Sequence, residues 1–122
     1  MATILLLGLE NDLARELSRV LLDHGHDVAA QAATADSIET APRVRSADIV
    51  FASGDAPDYC ETLRRLIARR PGRPVVIVNR LPDNSRWLDA LELGAADYCG
   101  APFEPVQMRW LVDSVLRQPV AA

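Results

Sequence analysis

GAADYCGAPF, residues 94–103, is the stretch whose reading decides the fold. A small-residue corner, Gly94 to Asp97, leads into a short apolar run, Tyr98-Cys99-Gly100, and then into Ala101-Pro102-Phe103. Proline has no N–H to give a strand ladder, so a strand must end here, and an X-Pro bond at a tight bend is a candidate cis peptide. Upstream, Asn84–Leu93 is patterned as a helix that Gly94 closes. Downstream, Pro105 suits the first turn of a helix running to about Arg117. The stretch is therefore a strand held between two helices.

The same alternation repeats back to the start of the chain. Thr3–Leu7 is a continuous β-type run, and Asn11 or Asp12 can cap a helix to about His24, with Leu13, Leu17, Val20 and Leu21 at helical spacing. Asp27–Ala30 is a weak strand. Asp36-Ser37 opens a short helix to about Val44, with Pro42 as a blemish inside it. Asp48–Ala52 is a buried strand, Pro57-Asp58 opens a helix to about Arg70, and Pro74–Val78 is the most strand-like run in the chain. Uniformly apolar strands separated by amphipathic helices predict a parallel sheet covered on both faces. With right-handed crossovers this is a flavodoxin-like, doubly wound (βα)5 sandwich with strand order 2-1-3-4-5. One domain over residues 1–118 is expected, with 119–122 as a tail or the start of a linker to a longer protein.

Composition narrows the chemistry. The net charge is −4, which argues against a nucleic-acid surface on this domain. All 13 basic residues are Arg, so mechanisms that need a lysine amine are closed. Arg64, Arg65, Arg69, Arg70 and Arg73 cluster and read as a solvated helix end. Cys60 and Cys99 are too few and too far apart for a disulfide framework or a zinc site. The opening MATILLLG lacks a basic n-region and is too short to span a membrane, so the expected location is the cytoplasm.

In a doubly wound sheet, function sits beyond the carboxyl ends of the strands. The loops to inspect are Gly8-Leu9-Glu10, Ser53-Gly54-Asp55, Asn79-Arg80 and Ala101-Pro102. A magnesium site would need converging carboxylates, yet Gly8 and Leu9 are neutral. Ser53 would need a base to act as nucleophile, and His24 and His26 fall at the opposite edge of the sheet. A nucleotide or flavin cradle would need Gly, Ser and Thr after the first strand, whereas GLEND brings acids that repel phosphate. No cofactor, no metal and no enzymatic activity are expected.

The local phrases resemble the receiver domain of bacterial two-component response regulators, over nearly the whole chain from Ile4 to Arg117. The phrases are ALELGAADYCGAPF (Ala90–Phe103), ILLLGLENDLARELSRVLLDHGHDV, ADIVFAS and RPVVIV. The resemblance implies two magnesium-holding acids after the first strand, where this chain has Gly8 and Leu9. It implies a phosphoryl-accepting aspartate at Ser53, a hydroxyl residue at Asn79, and a lysine before the cis-proline Pro102, at Ala101. The aromatic of the switch is kept as Tyr98, for which one fixed state is expected. The bend at Ala101-Pro102 would then be the receiver's cis-proline turn, kept without the charge that holds a phosphate.

A degenerate receiver, or pseudo-receiver, that works by phosphorylation-independent protein–protein contact is the leading expectation. Its contact face would be the fourth helix, fifth strand and fifth helix: Trp87, Leu91, Tyr98 and Trp110, with both tryptophans offset from an inward set of Leu88, Leu91, Met108, Leu111, Val112 and Val115. The partner would be a protein, an output domain or a second copy in a homodimer. Two alternatives stand beside it: a phospho-accepting receiver using the displaced acid Asp55, and a small-molecule-binding flavodoxin-like domain.

Overall fold

The computed structural model describes residues 2–33, 38, 41–81 and 83–117. Among the described residues, five strands alternate with five helices: β1 (Thr3–Leu7), α1 (Asn11–Asp23), β2 (Asp27–Gln31), α2 (Pro42–Ser46), β3 (Ile49–Ser53), α3 (Tyr59–Arg69), β4 (Val75–Asn79), α4 (Asn84–Glu92), β5 (Asp97–Gly100) and α5 (Pro105–Arg117). All strand pairs are parallel, in the order β2-β1-β3-β4-β5. Register brings Ile4 beside Ile49, Phe51 beside Val76 and Ile77 beside Tyr98. Every carboxyl end therefore faces the same way, and the loops after β1, β3, β4 and β5 share one rim.

The apolar runs are continuous because both faces of the sheet are covered. Ile4, Leu6, Phe51, Val76 and Val78 pack on one side against Leu13, Leu17 and Leu21 of α1 and Met108, Val112 and Val115 of α5. Leu5, Leu7, Val50, Val75 and Ile77 pack on the other against Val44, Leu63, Leu66 and Ala90. No helix among the described residues is long and apolar enough to cross a membrane.

Several expectations shift. Pro42 is the first residue of α2, where its missing N–H does no harm, so it starts the helix and does not blemish it. The proposed opening at Asp36-Ser37 lies outside the described residues, as does the tail 119–122. β3 and β4 each begin and end one residue later than expected. Neither Asn11 nor Asp12 caps α1: Glu10 takes the cap position and makes no side-chain capping bond. The carboxylates of Glu10 and Asp12 are engaged elsewhere, as described below.

The arginine cluster is only partly solvated. Arg70 Nη1 donates to the carbonyls of Arg45 (3.1 Å) and Ala47 (2.8 Å). Arg73 is buried and donates to the Val44 carbonyl. These guanidinium groups satisfy carbonyls that the end of α2 leaves open. Burial pushes the Arg73 pKa downward.

On α4 only Ala90 is buried, while Leu88 and Leu91 are exposed, against their expected inward place. With Ala90 facing the sheet, Leu91 is turned about 100° away and Leu88 about 200° away.

Candidate functional site

The rim begins at Gly8, which has φ +73° and donates its N–H to the Gln31 carbonyl at 2.8 Å. A Cβ here would lie 2.8 Å from Ala33 Cβ. The position thus lacks a carboxylate, and its backbone and surroundings disfavour one. Leu9 turns toward the core beside α1. Ser53 ends β3 half-buried, and its Oγ accepts the Asp55 N–H at 3.2 Å. Gly54 donates to the Val78 carbonyl at 2.8 Å, and a Cβ on it would run into Asn79 Oδ1 and Ile77 Cγ2. Glycine at this place lets the loop after β3 press against the end of β4.

Asn79 and Arg80 join three loops. Buried Asn79 donates Nδ2 to Asp55 Oδ1 at 2.9 Å, and the Arg80 N–H donates to Asp55 Oδ2 at 3.0 Å. The Arg80 side chain turns the other way. Its Nη1 donates to Asp12 Oδ2 (2.9 Å), and its Nη2 donates to both Asp12 Oδ1 (2.8 Å) and Glu10 Oε2 (2.9 Å). This is a two-pronged arginine–carboxylate pair with a second carboxylate on the same fork. The hydrogen bonds from Arg80 hold the Asp12 carboxyl down at about 2, and the same pairing pushes the Arg80 pKa up.

An open cleft of ≈ 410 Å³ lies over this group, lined by Glu10, Asp55, Arg80, Leu81, Asp83 and Arg86. A second hollow of ≈ 290 Å³ lies over Gly8, Leu9 and Ser53. Gly8, Leu9 and Ser53 thus share the second hollow, while Asn79 and Ala101 line neither depression. Among the described residues, no group of three or more His, Cys, Asp or Glu is placed to hold a metal ion.

At the other end of the rim, Ala101–Pro102 is cis. Ala101 packs against the core, and the Phe103 N–H donates to Glu16 Oε1 at 3.2 Å. The Tyr98 hydroxyl accepts the Asp83 N–H at 3.1 Å. Asp83 in turn caps α4, accepting from Ser85 N (2.8 Å) and Ser85 Oγ (2.6 Å), bonds that pull its carboxyl pKa down. Tyr98 is thereby tied to the start of α4. Trp87 is 42% exposed and Trp110 72%, with Leu91 and Val106 also open to solvent. Cys99, on β5, packs partly buried against the core, and burial pushes its thiol up to about 12, which disfavours the thiolate at neutral pH. His26 sits at the amino end of the sheet, its Nδ1 accepting the Ala2 N–H at 3.1 Å, far from Ser53.

The residue missed from the sequence is Arg80. Its loop stands out by position, but nothing in a linear pattern pairs it with acids 68 and 70 residues away.

No protein-family model matches the chain. A curated protein of Porphyridium aerugineum, the probable transcriptional regulator ycf27, is 29% identical over 119 residues, covering 94% of this chain and 48% of that protein. The chain spans about half the length of that relative. Among solved structures, NtrX from Brucella abortus in complex with ADP superposes with a TM-score of 0.82 at 25% identity, over 94% of this chain and 26% of that one. The BeF3-activated N-terminal receiver domain of Klebsiella pneumoniae RstA superposes with a TM-score of 0.79 at 22% identity, over 95% and 99% of the two chains.

Proposed function

We propose that this chain, a response-regulator receiver domain, acts as a pseudo-receiver: it signals by protein–protein contact and accepts no phosphoryl group. The observation that carries the reading is the state of the acids at the rim. Phosphoryl transfer to a carboxylate needs a free carboxylate nucleophile and cations to neutralise the transferring group. The resemblance to receivers puts Ser53 at the acceptor position, Gly8 and Leu9 at the metal positions and Ala101 at the lysine position. Asp55, the nearest acid to the end of β3, has both oxygens engaged, one by Asn79 and one by the Arg80 N–H. That arrangement disfavours the displaced-acid alternative.

What remains available is surface. The face of α4, β5 and α5 carries Trp87, Leu91, Tyr98 and Trp110, and exposed tryptophan is enriched at binding hot spots. In this reading the face docks a protein partner, an output domain or a second copy of the chain, in the cytoplasm, with no cofactor and no nucleic acid bound by this domain.

Intact mass after incubation with acetyl phosphate and magnesium tests the core of the reading. The unchanged mass is expected. A hydroxylamine-labile phosphoryl adduct that disappears in Asp55→Ala would overturn it in favour of the displaced acid.

A further inference from the structure

The receiver fold implies a divalent metal between the first loop and the ends of β3 and β4, and the residues here do not fit one. Magnesium requires oxygen ligands at about 2.0–2.1 Å in near-octahedral array. The two carboxylates after β1 that could contribute, Glu10 before α1 and Asp12 in its first turn, are turned onto the Arg80 guanidinium at 2.8–2.9 Å. An incoming dication would have to strip both from a fixed cation and then sit beside that cation.

We propose that the Arg80 guanidinium is a resident cation of this domain: without metal, it ties Glu10 and Asp12 after β1 to the loop that follows β4, whose backbone in turn holds Asp55 after β3. The contacts form one connected path. Glu10 and Asp12 reach Arg80 through its side chain, and Asp55 reaches it through the backbone N–H. The chain then runs from Arg80 to Asp83, which caps α4 and is bonded to Tyr98 on β5. Arg80 thus links the segments that follow β1, β3 and β4, and Asp83 carries the path on to Tyr98 of β5. The consequence is that the start of α4, with Trp87 one turn further on, keeps a single placement whatever the magnesium concentration. This deepens the pseudo-receiver reading, and it rests on that reading only for the statement that the α4 face is the working surface.

The proposal has a planar, forked requirement. Arg80 presents two nitrogens to Asp12 while sharing one with Glu10, a geometry that a lysine ammonium cannot reproduce. Arg80→Lys should therefore behave more like Arg80→Ala than like the wild type.

The test is amide hydrogen exchange with metal titration on the 15N-labelled chain. In Arg80→Ala, and independently in Glu10→Gln/Asp12→Asn, the Ser85 and Trp87 amides, both bonded to Asp83, should exchange roughly two- to fivefold faster. The Val76 and Ile77 amides in β4 should be unchanged, which shows that the fold is intact. In the wild type, millimolar magnesium should move no loop resonance and manganese should broaden none. Unaltered exchange in both variants, or manganese broadening at residues 9–12 and 55 of the wild type, overturns the resident cation. The two readings fail separately. An acetyl-phosphate adduct with the exchange pattern as expected sinks the pseudo-receiver and leaves the arginine, and the reverse pattern does the opposite.

Discussion

Gly8→Ala tests whether the first rim position has been reshaped as well as relabelled. The perturbation is a single methyl group. At φ +73° a residue with a Cβ pays conformational strain of about 1–2 kcal/mol, because the Cβ crowds its own carbonyl. The new Cβ would also sit 2.8 Å from Ala33 Cβ, too close without a backbone shift. Ala33 lies on an exposed loop, so the crowding is set at the low end of overpacking, about 1 kcal/mol. The variant should lose about 2–3 kcal/mol, which for a domain of this size lowers the melting temperature by roughly 10 °C.

Gly25 supplies the control. It has φ +86° with nothing within 4 Å of a built Cβ, so Gly25→Ala carries the strain without the crowding and should lose only about 1 kcal/mol. Adding Ala33→Gly to Gly8→Ala should recover about 1 kcal/mol, a coupling that a double-mutant cycle in urea isolates. If Gly8→Ala melts with the wild type, or no worse than Gly25→Ala, the rim at Gly8 is open and the reasoning is wrong. Alanine is the better probe than an acid, because aspartate tolerates left-handed backbone more readily and would blur the strain.

Two further outcomes follow from the same contacts. Trp110→Ala and Trp87→Ala should weaken any self-association or partner binding while leaving the melting temperature nearly unchanged, since both rings are substantially exposed; sedimentation and partner titration check this, and unaltered association in both argues against the α4–β5–α5 face. Burial lowers the pKa of His26 below its ordinary 6.5, so the unfolded chain binds the proton more readily, and stability should be flat above that value and fall as pH drops below it; His26→Gln should lessen the fall in an acid titration followed by circular dichroism.

The parts of the fold that could be read from sequence are those where one short stretch carries a whole constraint. Ile4–Leu7 and Val75–Val78 are uniformly apolar because both faces of the sheet are covered, so the run alone announces a central parallel strand. Ala101-Pro102 announces its bend because only proline makes the cis form cheap. The misplaced residues are those whose surroundings come from distant parts of the chain. Leu88 and Leu91 look like core by type, yet the phase of α4 is set by Ala90, the small residue that lets the helix lie close to the sheet. Arg70 and Arg73 look solvated in a charged run, yet the end of α2, some 25 residues earlier, supplies carbonyls that need donors. Arg80 is the extreme case, because its partners lie at the far end of the sequence.

The pairing at the rim also bears on how many arrangements the rim can take up. Glu10, Asp55 and Asp83 share the lining of one cleft, where like charges repel, and Arg80 and Arg86 stand among them. Each of these acids has a hydrogen-bond donor, as do Asp12 and Glu16. Glu10 and Asp12 share Arg80, Asp55 takes Asn79 and the Arg80 N–H, Glu16 takes the Phe103 N–H, and Asp83 takes Ser85. Asn79 is long enough to reach Asp55, and Gly54 leaves it the space to do so. Acids matched to tethered donors on neighbouring loops make a connected hydrogen-bond network. Such a network favours one arrangement of the rim, whereas phosphoryl-driven signalling requires two of comparable free energy.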